Sequence, residues 1–398
     1  MIAKYFQIYY WKRLIRSILA YFRYLLSFQE AAQPLLKPDE KFYLWIRLDE
    51  IGDYILWRNF LPLLHQIWPE KKMILCGNIA WKQLWEALDA QLAADCVWVN
   101  KTKWQQNLEY RKEIIRQIRQ YNPELTINLT YSRSFYLDDY IVYHTNSPKR
   151  IGVNGDLSSN FSWQDAISRT WYTEFISPPD NIRFDFFRNR WLIDKVVHAK
   201  LPINRPEIIW DSVAEVIGKP PSKTYFVLFP AGRQSYKRWS AVNFAMVAQQ
   251  IAQQFGLTIV IAGGPGEEIY SKAVLNHLTV PAIDLTGQTS LPQLLTLLRD
   301  AALLISNDTS SVHIATALNT PVVAVLNGTH YGRFCPYPDE TNACLEAIYP
   351  PELTQDKLTE TQRWEKYRYR SAFSIHTISP KVVLNTCQKI LDKNWLKP

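Results

Sequence analysis

The chain has 398 residues, of which 47% are hydrophobic and only 21% charged, so it is too long for one ordinary core and apolar enough to bury two. Lys and Arg outnumber Asp and Glu by 45 to 37; that excess suits anionic partners such as nucleotides, phospholipid surfaces or acidic glycans but is too mild to argue for nucleic acid. The five cysteines (Cys76, Cys96, Cys335, Cys344, Cys387) are widely spaced and form no CxxC pair, which argues against a disulfide framework or a zinc site and fits a reducing cytoplasm.

From Met1 to Gln29 there is no acidic residue, while Lys4, Lys12, Arg13, Arg16 and Arg23 alternate with aromatic and aliphatic residues. A helical projection puts Trp11, Leu14, Ile15, Ile18, Phe22 and Leu25 on one face and clusters Lys12, Arg16 and Arg23 on another. Charge interrupts this segment too often for a transmembrane span, and it lacks the apolar region and cleavage site of a signal peptide. Two readings stand: a helix lying flat on an anionic membrane surface, or one that packs on the protein itself. Helix and linker together occupy residues 1–40, with a polar, Pro-containing stretch from Pro34 to Lys41.

Residues 41–200 read as an α/β domain. Phe42 to Leu48 is a buried strand, and the loop Asp49 to Asp53 feeds a helix running to about Gln66. Further strands are expected at Met73 to Cys76, Cys96 to Val99 and Leu125 to Leu129, with helices between them. Asp138 and Asp139 read as a solvated helix start. After a helix from about Phe184 to His198, the Pro-bearing segment 201–222 shows little periodicity and marks the domain boundary.

The second domain, 223–378, repeats the alternation more clearly. Tyr225 to Phe229 is a strand, Ser240 a helix N-cap, and Phe244, Val247, Ala248 and Ile251 the buried face of a helix ending at Gly256. Strands follow at Leu257 to Ala262 and Ala282 to Leu285, then a helix through Arg299. The stretch from Ala301 to Leu318, followed by Thr320 to Leu326, is a further βαβ unit, and a last helix occupies 379–398. Right-handed crossovers stack these strands into one parallel sheet. The loops at Pro230 to Trp239, Gly263 to Glu267 and Asn307 to Ser311 then emerge on the edge where such sheets bind ligands. The helix beginning near Ser310 would aim backbone N–H groups and a positive dipole end at a phosphate there.

Four segments, in order, carry a resemblance: Arg47-Leu48-Asp49-Glu50-Ile51-Gly52-Asp53, Phe229-Pro230-Ala231-Gly232 to Lys237-Arg238-Trp239, Ala262-Gly263-Gly264-Pro265-Gly266-Glu267, and Asn307-Asp308-Thr309-Ser310-Ser311-Val312-His313. The sequence resembles the heptosyltransferase-like glycosyltransferases of family 9 from about Tyr43 to the last helix, and the first forty residues lie outside the likeness. The resemblance implies the GT-B architecture, two Rossmann-like domains with parallel sheets facing across a cleft, here preceded by the amphipathic helix.

The resemblance also implies roles. Inverting sugar transfer needs a base for the acceptor hydroxyl and positive charge for the departing nucleoside diphosphate. Asp53 matches the family base, and the adjoining Gly52 would let an acceptor approach the backbone. Lys237 matches the lysine on the donor phosphates. Asp308, Thr309, Ser310, Ser311 and His313 match the motif around the donor sugar and diphosphate, in which His313 would donate to a diphosphate oxygen. Gly263 and Gly264 allow close backbone approach, and Glu267 matches an acid on the nucleoside. Gly232 and Arg233 stand where the heptosyltransferases often carry hydroxyl residues, and Arg233 would add a phosphate contact. Arg133 and other loop cations would contribute to the acceptor surface. Ser310-Ser311 replaces the usual Gly-Pro, which leaves the donor open, with ADP-heptose one candidate. No convincing metal dyad is present, so metal-independent transfer without a cofactor is expected. The acceptor would be a lipid-linked or cell-surface glycan of the lipopolysaccharide-core type, met at the inner face of the cytoplasmic membrane by a peripheral cytoplasmic enzyme. Two alternatives remain: a GT-B sugar-nucleotide epimerase or hydrolase, and a non-catalytic membrane-associated nucleotide-sugar binding protein.

Overall fold

The computed structural model describes residues 11–395 apart from 13, 23, 25–38, 213–214 and 356. Lys4, Arg13, Arg23 and Leu25 of the basic segment, and the stretch around Pro34, lie outside the described residues. Two compact units emerge: Met1–Leu48, Trp68–Ile79 and Gln91–Ser177 form one, while Asp49–Ile67, Ala80–Ala90 and Pro178–Pro398 form the other. The loop and helix that follow the first strand thus belong to the second unit.

In the first unit the strands β1 (Asp39–Arg47), β2 (Lys72–Asn78), β3 (Asp95–Val99), β4 (Pro123–Asn128), β5 (Lys149–Val153) and β6 (Glu174–Ile176) form one sheet in the order β3-β2-β1-β4-β5-β6. The second holds β7 (Tyr225–Phe229), β8 (Thr258–Ile261), β9 (Ala282–Asp284), β10 (Leu304–Asn307), β11 (Val322–Val325) and β12 (Leu345–Ile348) in the order β12-β11-β10-β7-β8-β9. Every pairing is parallel. Both orders are those of a doubly wound sheet, whose topological switch points fall between β1 and β4 and between β7 and β10.

The central strands are apolar runs because helices cover both faces: Tyr225–Phe229 and Val322–Val325 are buried at every position. Phe244, Val247, Ala248 and Ile251 bury one face of the helix Ala241–Phe255 in the same core as Leu228, Ile259 and Ile305. Gly256, at φ 66°, ends that helix in the left-handed conformation, as the sequence suggests.

Other expectations change. The helix expected to reach Gln66 is broken into Ile51–Ile55, a 3-10 turn at Arg58–Phe60 and Leu61–Ile67. Pro62 is the cause: it has no N–H for the carbonyl four residues back, so a helix restarts where Pro62 falls in the first turn. Asp138 and Asp139 are buried, not solvated. Asp138 accepts the Ser134 N–H at 2.8 Å, and Asp139 accepts the Tyr172 hydroxyl at 2.6 Å and Arg133 Nη1 at 2.7 Å.

Arg133 requires the same correction, because it is only 4% exposed. Its guanidinium is committed to Asp139, to Asp165 at 2.8 Å and to the Val153 carbonyl at 3.1 Å, and this internal ion cluster holds its pKa above the ordinary arginine value despite burial. A side chain so engaged ties the loop after β4 to its neighbours and presents no cation to an acceptor. Arg133→Met should lower unfolding stability by about 3–5 kcal/mol, since it leaves buried carboxylates without their partner. Thermal and denaturant unfolding would measure this; unchanged stability with a raised acceptor KM would return Arg133 to an acceptor surface.

Candidate active site

The loops that follow β7 and β10 flank the switch point of the second sheet, and Asn307 fastens one to the other. At the end of β10, Asn307 is buried; its Nδ2 donates to the carbonyls of Pro230 at 2.7 Å and Ala231 at 3.3 Å, and its Oδ1 accepts the Trp239 N–H at 3.0 Å. Trp239 is in turn held by its indole N–H to the Ile378 carbonyl at 3.1 Å. Both ends of the 230–239 loop are therefore fixed by one amide. Asn307 stands in the sequence motif, but its clamp could not be read without the pairing of β7 with β10.

The clamped loop delivers Lys237 to the neighbouring residue of the same strand end. Lys237 Nζ lies 2.6 Å from Asp308 Oδ2, with the two side chains only 14% and 20% exposed. Asp308 thus orients the loop cation. Gly232 lies beside Arg238, whose Cγ would be 3.4 Å from a Cβ placed there. Arg238 is occupied with Tyr270, donating to its hydroxyl and lying 4.4 Å over its ring. Arg233 is 87% exposed, its Nη1 3.7 Å from Glu50 Oε1.

The helix Ser310–Ala317 begins directly behind this ion pair. Thr309 is its N-cap in extended conformation but makes no side-chain cap bond; the Val312 N–H donates to the Thr309 carbonyl at 3.2 Å, which leaves the N–H groups of Ser310 and Ser311 as the donors of the first turn. Thr309 Oγ1 instead lies 2.7 Å from Ser311 Oγ, which is 2.9 Å from Ser306 Oγ. Ser311 is fully buried, and its hydroxyl locks the turn from inside instead of reaching a ligand. Its neighbour Ser310 is half-buried at the helix start.

His313, one turn on, is 5% exposed and its Nδ1 is 2.9 Å from the Tyr337 hydroxyl. Burial pulls its pKa from 6.5 to about 4, only partly opposed by the charges of Asp308 and Asp185. The imidazole is therefore neutral near pH 7, with one ring nitrogen a donor and the other an acceptor. Because the unfolded imidazole regains its ordinary pKa, protonation favours unfolding as pH falls below about 6.5, and this loss continues to about 4. His313→Asn should flatten part of that acid slope in stability; a variant with the wild-type slope would contradict it. Tyr337 and Asp185 lie far from the motifs in sequence and gave no signal there.

The first turn after β1 meets this helix. A Cβ on Gly52 would stand 2.9 Å from His313 Cδ2 and 3.5 Å from Nε2. The space expected for an acceptor over Gly52 is thus occupied by the imidazole, and glycine is needed to let the two helices touch. Gly52→Ala should cost about 1–3 kcal/mol through overpacking, because Tyr337 restrains the ring; an unchanged melting temperature would show that the ring moves aside freely.

Asp53 is the next residue, half-buried at the third position of the helix Ile51–Ile55. Its Oδ2 accepts the Glu50 N–H at 3.2 Å. The short helix is anchored below by Tyr54, which stacks on Trp81 at 4.7 Å and donates to Asp89. Asp89 also takes a two-point contact from Arg58 at 2.8 Å on each oxygen. These contacts hold in place the helix that carries Asp53, whose neighbour Gly52 meets His313.

In the loop after β8, Glu267 Oε2 accepts the Gly264 N–H at 2.7 Å, and burial raises the Glu267 pKa above the ordinary range. A Cβ at Gly263 would stand 3.0 Å from Thr286 and 3.2 Å from Glu267. The glycines therefore admit Glu267 and Thr286 as well as leaving backbone accessible. Gly52, Asp53, Gly232, Arg233, Lys237, Gly263, Gly264, Glu267, Asp308, Thr309, Ser310, Ser311 and His313 all fall in the second unit; Arg133 falls in the first.

Residues 195–365 match the sequence model of glycosyltransferase family 9 (heptosyltransferase). That range contains Lys237, Glu267 and the Asp308 to His313 segment, while Gly52 and Asp53 precede it. Lipopolysaccharide heptosyltransferase 3 of Escherichia coli is 30% identical over 140 residues, 34% of this chain and 40% of that protein. The lipopolysaccharide core heptosyltransferase OpsX of Haemophilus influenzae is 30% identical over 29% of this chain and 34% of its own length. The chain thus spans about two fifths or less of these curated relatives. Among solved structures, the glycosyl transferase family 9 protein of Veillonella parvula superposes with a TM-score of 0.69 at 18% identity, covering 90% of this chain and 99% of that one. The E. coli heptosyltransferase WaaC, solved with ADP, gives 0.64 at 15% identity over 88% and 99%. On this evidence residues 195–365 are similar to glycosyltransferase family 9 (heptosyltransferase), and the chain has the two-sheet α/β GT-B fold of these solved structures.

Proposed function

We propose that the protein is an inverting, metal-independent glycosyltransferase that moves a sugar, heptose by analogy with its relatives, from a nucleoside-diphosphate donor to a lipopolysaccharide-core-like glycan. The acceptor is lipid-linked and is met at the cytoplasmic face of the membrane. The observation that carries the reading is the Lys237–Asp308 pair at 2.6 Å, set at the uncapped start of the helix Ser310–Ala317, where the sheet order reverses. A point charge and a helix N-terminus converging at a switch point suit a diphosphate.

In this reading the Asp53 carboxylate takes the proton of the acceptor hydroxyl as its oxygen bonds to the anomeric carbon. The bond from that carbon to the diphosphate breaks, and its electron pair leaves with the diphosphate. Lys237, the N–H groups at Ser310 and Ser311, and the neutral His313 as its Nε2–H tautomer meet the charge that develops on the leaving group. Asp308 keeps the ammonium in place, and the second oxygen of Glu267 is available to nucleoside hydroxyls. Because Lys237 and the helix end supply the positive charge, the step is drawn without a metal.

A panel of nucleoside diphosphates tested by thermal shift, followed by turnover with the corresponding sugar donors, checks this. One diphosphate, ADP by analogy, should raise the melting temperature, since ligand binds only the folded chain. No stabilisation by any of them, together with no transfer product, would refute the reading.

A further inference from the structure

Among the described residues of the basic segment before β1, the exposed large apolar side chains lie opposite the stripe docked on the first unit. Between residues 11 and 24 the described residues are helical, and the face docked on the first unit is not the aliphatic one. Ser17 and Tyr24 are its buried contacts: Ser17 Oγ accepts from Gln164 Nε2 at 2.8 Å, and Tyr24 packs on Tyr136 and Tyr140 at 4.8 and 4.9 Å. Tyr21 adds an edge contact to Trp163 at 5.5 Å. Positions 17, 21 and 24 repeat at helical spacing and define one stripe.

On the other side, Trp11 is 54% exposed, Ile15 55%, Ile18 41%, Leu19 58% and Phe22 60%. These five also share one face, with the exposed Lys12 and Arg16 along its margin. The row Ile15, Ile18, Leu19 and Phe22, each more than two fifths exposed, calls for a cover. The whole segment to Gln29 has five Lys and Arg and no acidic residue. A second copy of the same helix would bring like charges together along the seam, whereas an anionic bilayer complements both the row and its cationic margin.

We infer that this helix is an interfacial anchor, held to the first unit by Ser17, Tyr21 and Tyr24, that seats Trp11, Ile15, Ile18, Leu19 and Phe22 in the headgroup region of an anionic membrane. Because the inner stripe fixes the helix to the sheet domain, binding also fixes how that domain is turned toward the bilayer. The inference rests on the glycosyltransferase reading only for its purpose, which is to meet a lipid-linked acceptor.

The test is cosedimentation of the full chain with phosphatidylcholine vesicles with or without phosphatidylglycerol, comparing wild type, Ile15→Glu/Leu19→Glu and Lys12→Glu/Arg16→Glu. All four substituted side chains face solvent, and circular dichroism confirms that each variant is folded. The wild type should bind the anionic vesicles preferentially and less so at high salt. The apolar-face variant should lose affinity by about tenfold or more, and the charge variant should lose the preference for anionic lipid. Equal binding by wild type and Ile15→Glu/Leu19→Glu would overturn the inference, as would a wild type that ignores vesicles or forms a dimer through this face. A diphosphate thermal shift on the same samples separates the claims: vesicle binding without any diphosphate response removes the enzyme reading alone, and the converse removes the anchor alone.

Discussion

Replacing Lys237 with alanine should lower kcat by about 10²–10³-fold, the effect of removing one preorganised group that meets leaving-group charge. The ammonium is mostly shielded and held at 2.6 Å by Asp308, so it needs no reorganisation as the diphosphate departs. The alanine variant also leaves the Asp308 carboxylate facing the diphosphate without its cation. Adding Asp308→Asn to Lys237→Ala should therefore recover part of the lost activity, whereas Asp308→Asn alone should reduce it by loosening Lys237. Steady-state rates of the four proteins form a double-mutant cycle. Strictly additive losses would show that the two side chains act separately, and unaltered turnover in Lys237→Ala would remove the lysine from the chemistry.

The second large effect is expected at Asp53. The asparagine variant keeps an oxygen for the Glu50 N–H that Asp53 now accepts at 3.2 Å, so the helix start and the contact of Gly52 with His313 should survive. An amide cannot take up the acceptor proton, and kcat should fall by about 10²–10⁴-fold. Affinity for the nucleoside diphosphate should be unchanged, because that ligand depends on Lys237 and the Ser310 helix. Matching losses in affinity and rate would assign Asp53 to helix structure; full activity would place the base elsewhere.

Much of this arrangement was legible before any coordinates. The apolar runs of β7, β8, β10 and β11 are buried on both sides, so they read as strands without ambiguity, and Ser240, Gly256 and Ser310 punctuate helices by local rules. Strands β5, β6 and β12 give no such signal: Lys149, Arg150, Glu174 and Glu346 interrupt their apolar character, and they lie at or next to sheet edges. Arg133, Asp138 and Asp139 mislead for a related reason. Their charges suggest solvent until the partners, which lie as far away as Asp165 and Tyr172, are known. Pro62 was visible, and its helix break follows from its missing N–H.

At the site, residue identities were legible and their contacts were not. Gly52 was expected to admit an acceptor, and instead admits the ring of a residue 261 positions later in the chain. Ser311 was expected at the donor, and its hydroxyl is turned inward to Ser306 and Thr309. The basic helix shows the same limit. Periodicity identifies its apolar face, but only the contacts of Ser17, Tyr21 and Tyr24 show that this face points outward.

The position of a bound diphosphate is the deciding observation. A crystal structure of the protein with a nucleoside diphosphate bound should place phosphate oxygens within hydrogen-bond distance of Lys237 Nζ and of the backbone N–H of Ser310, with the nucleoside toward Glu267. Phosphates lodged elsewhere on the chain, with none near Lys237 or the Ser310 N–H, would contradict the proposed donor site.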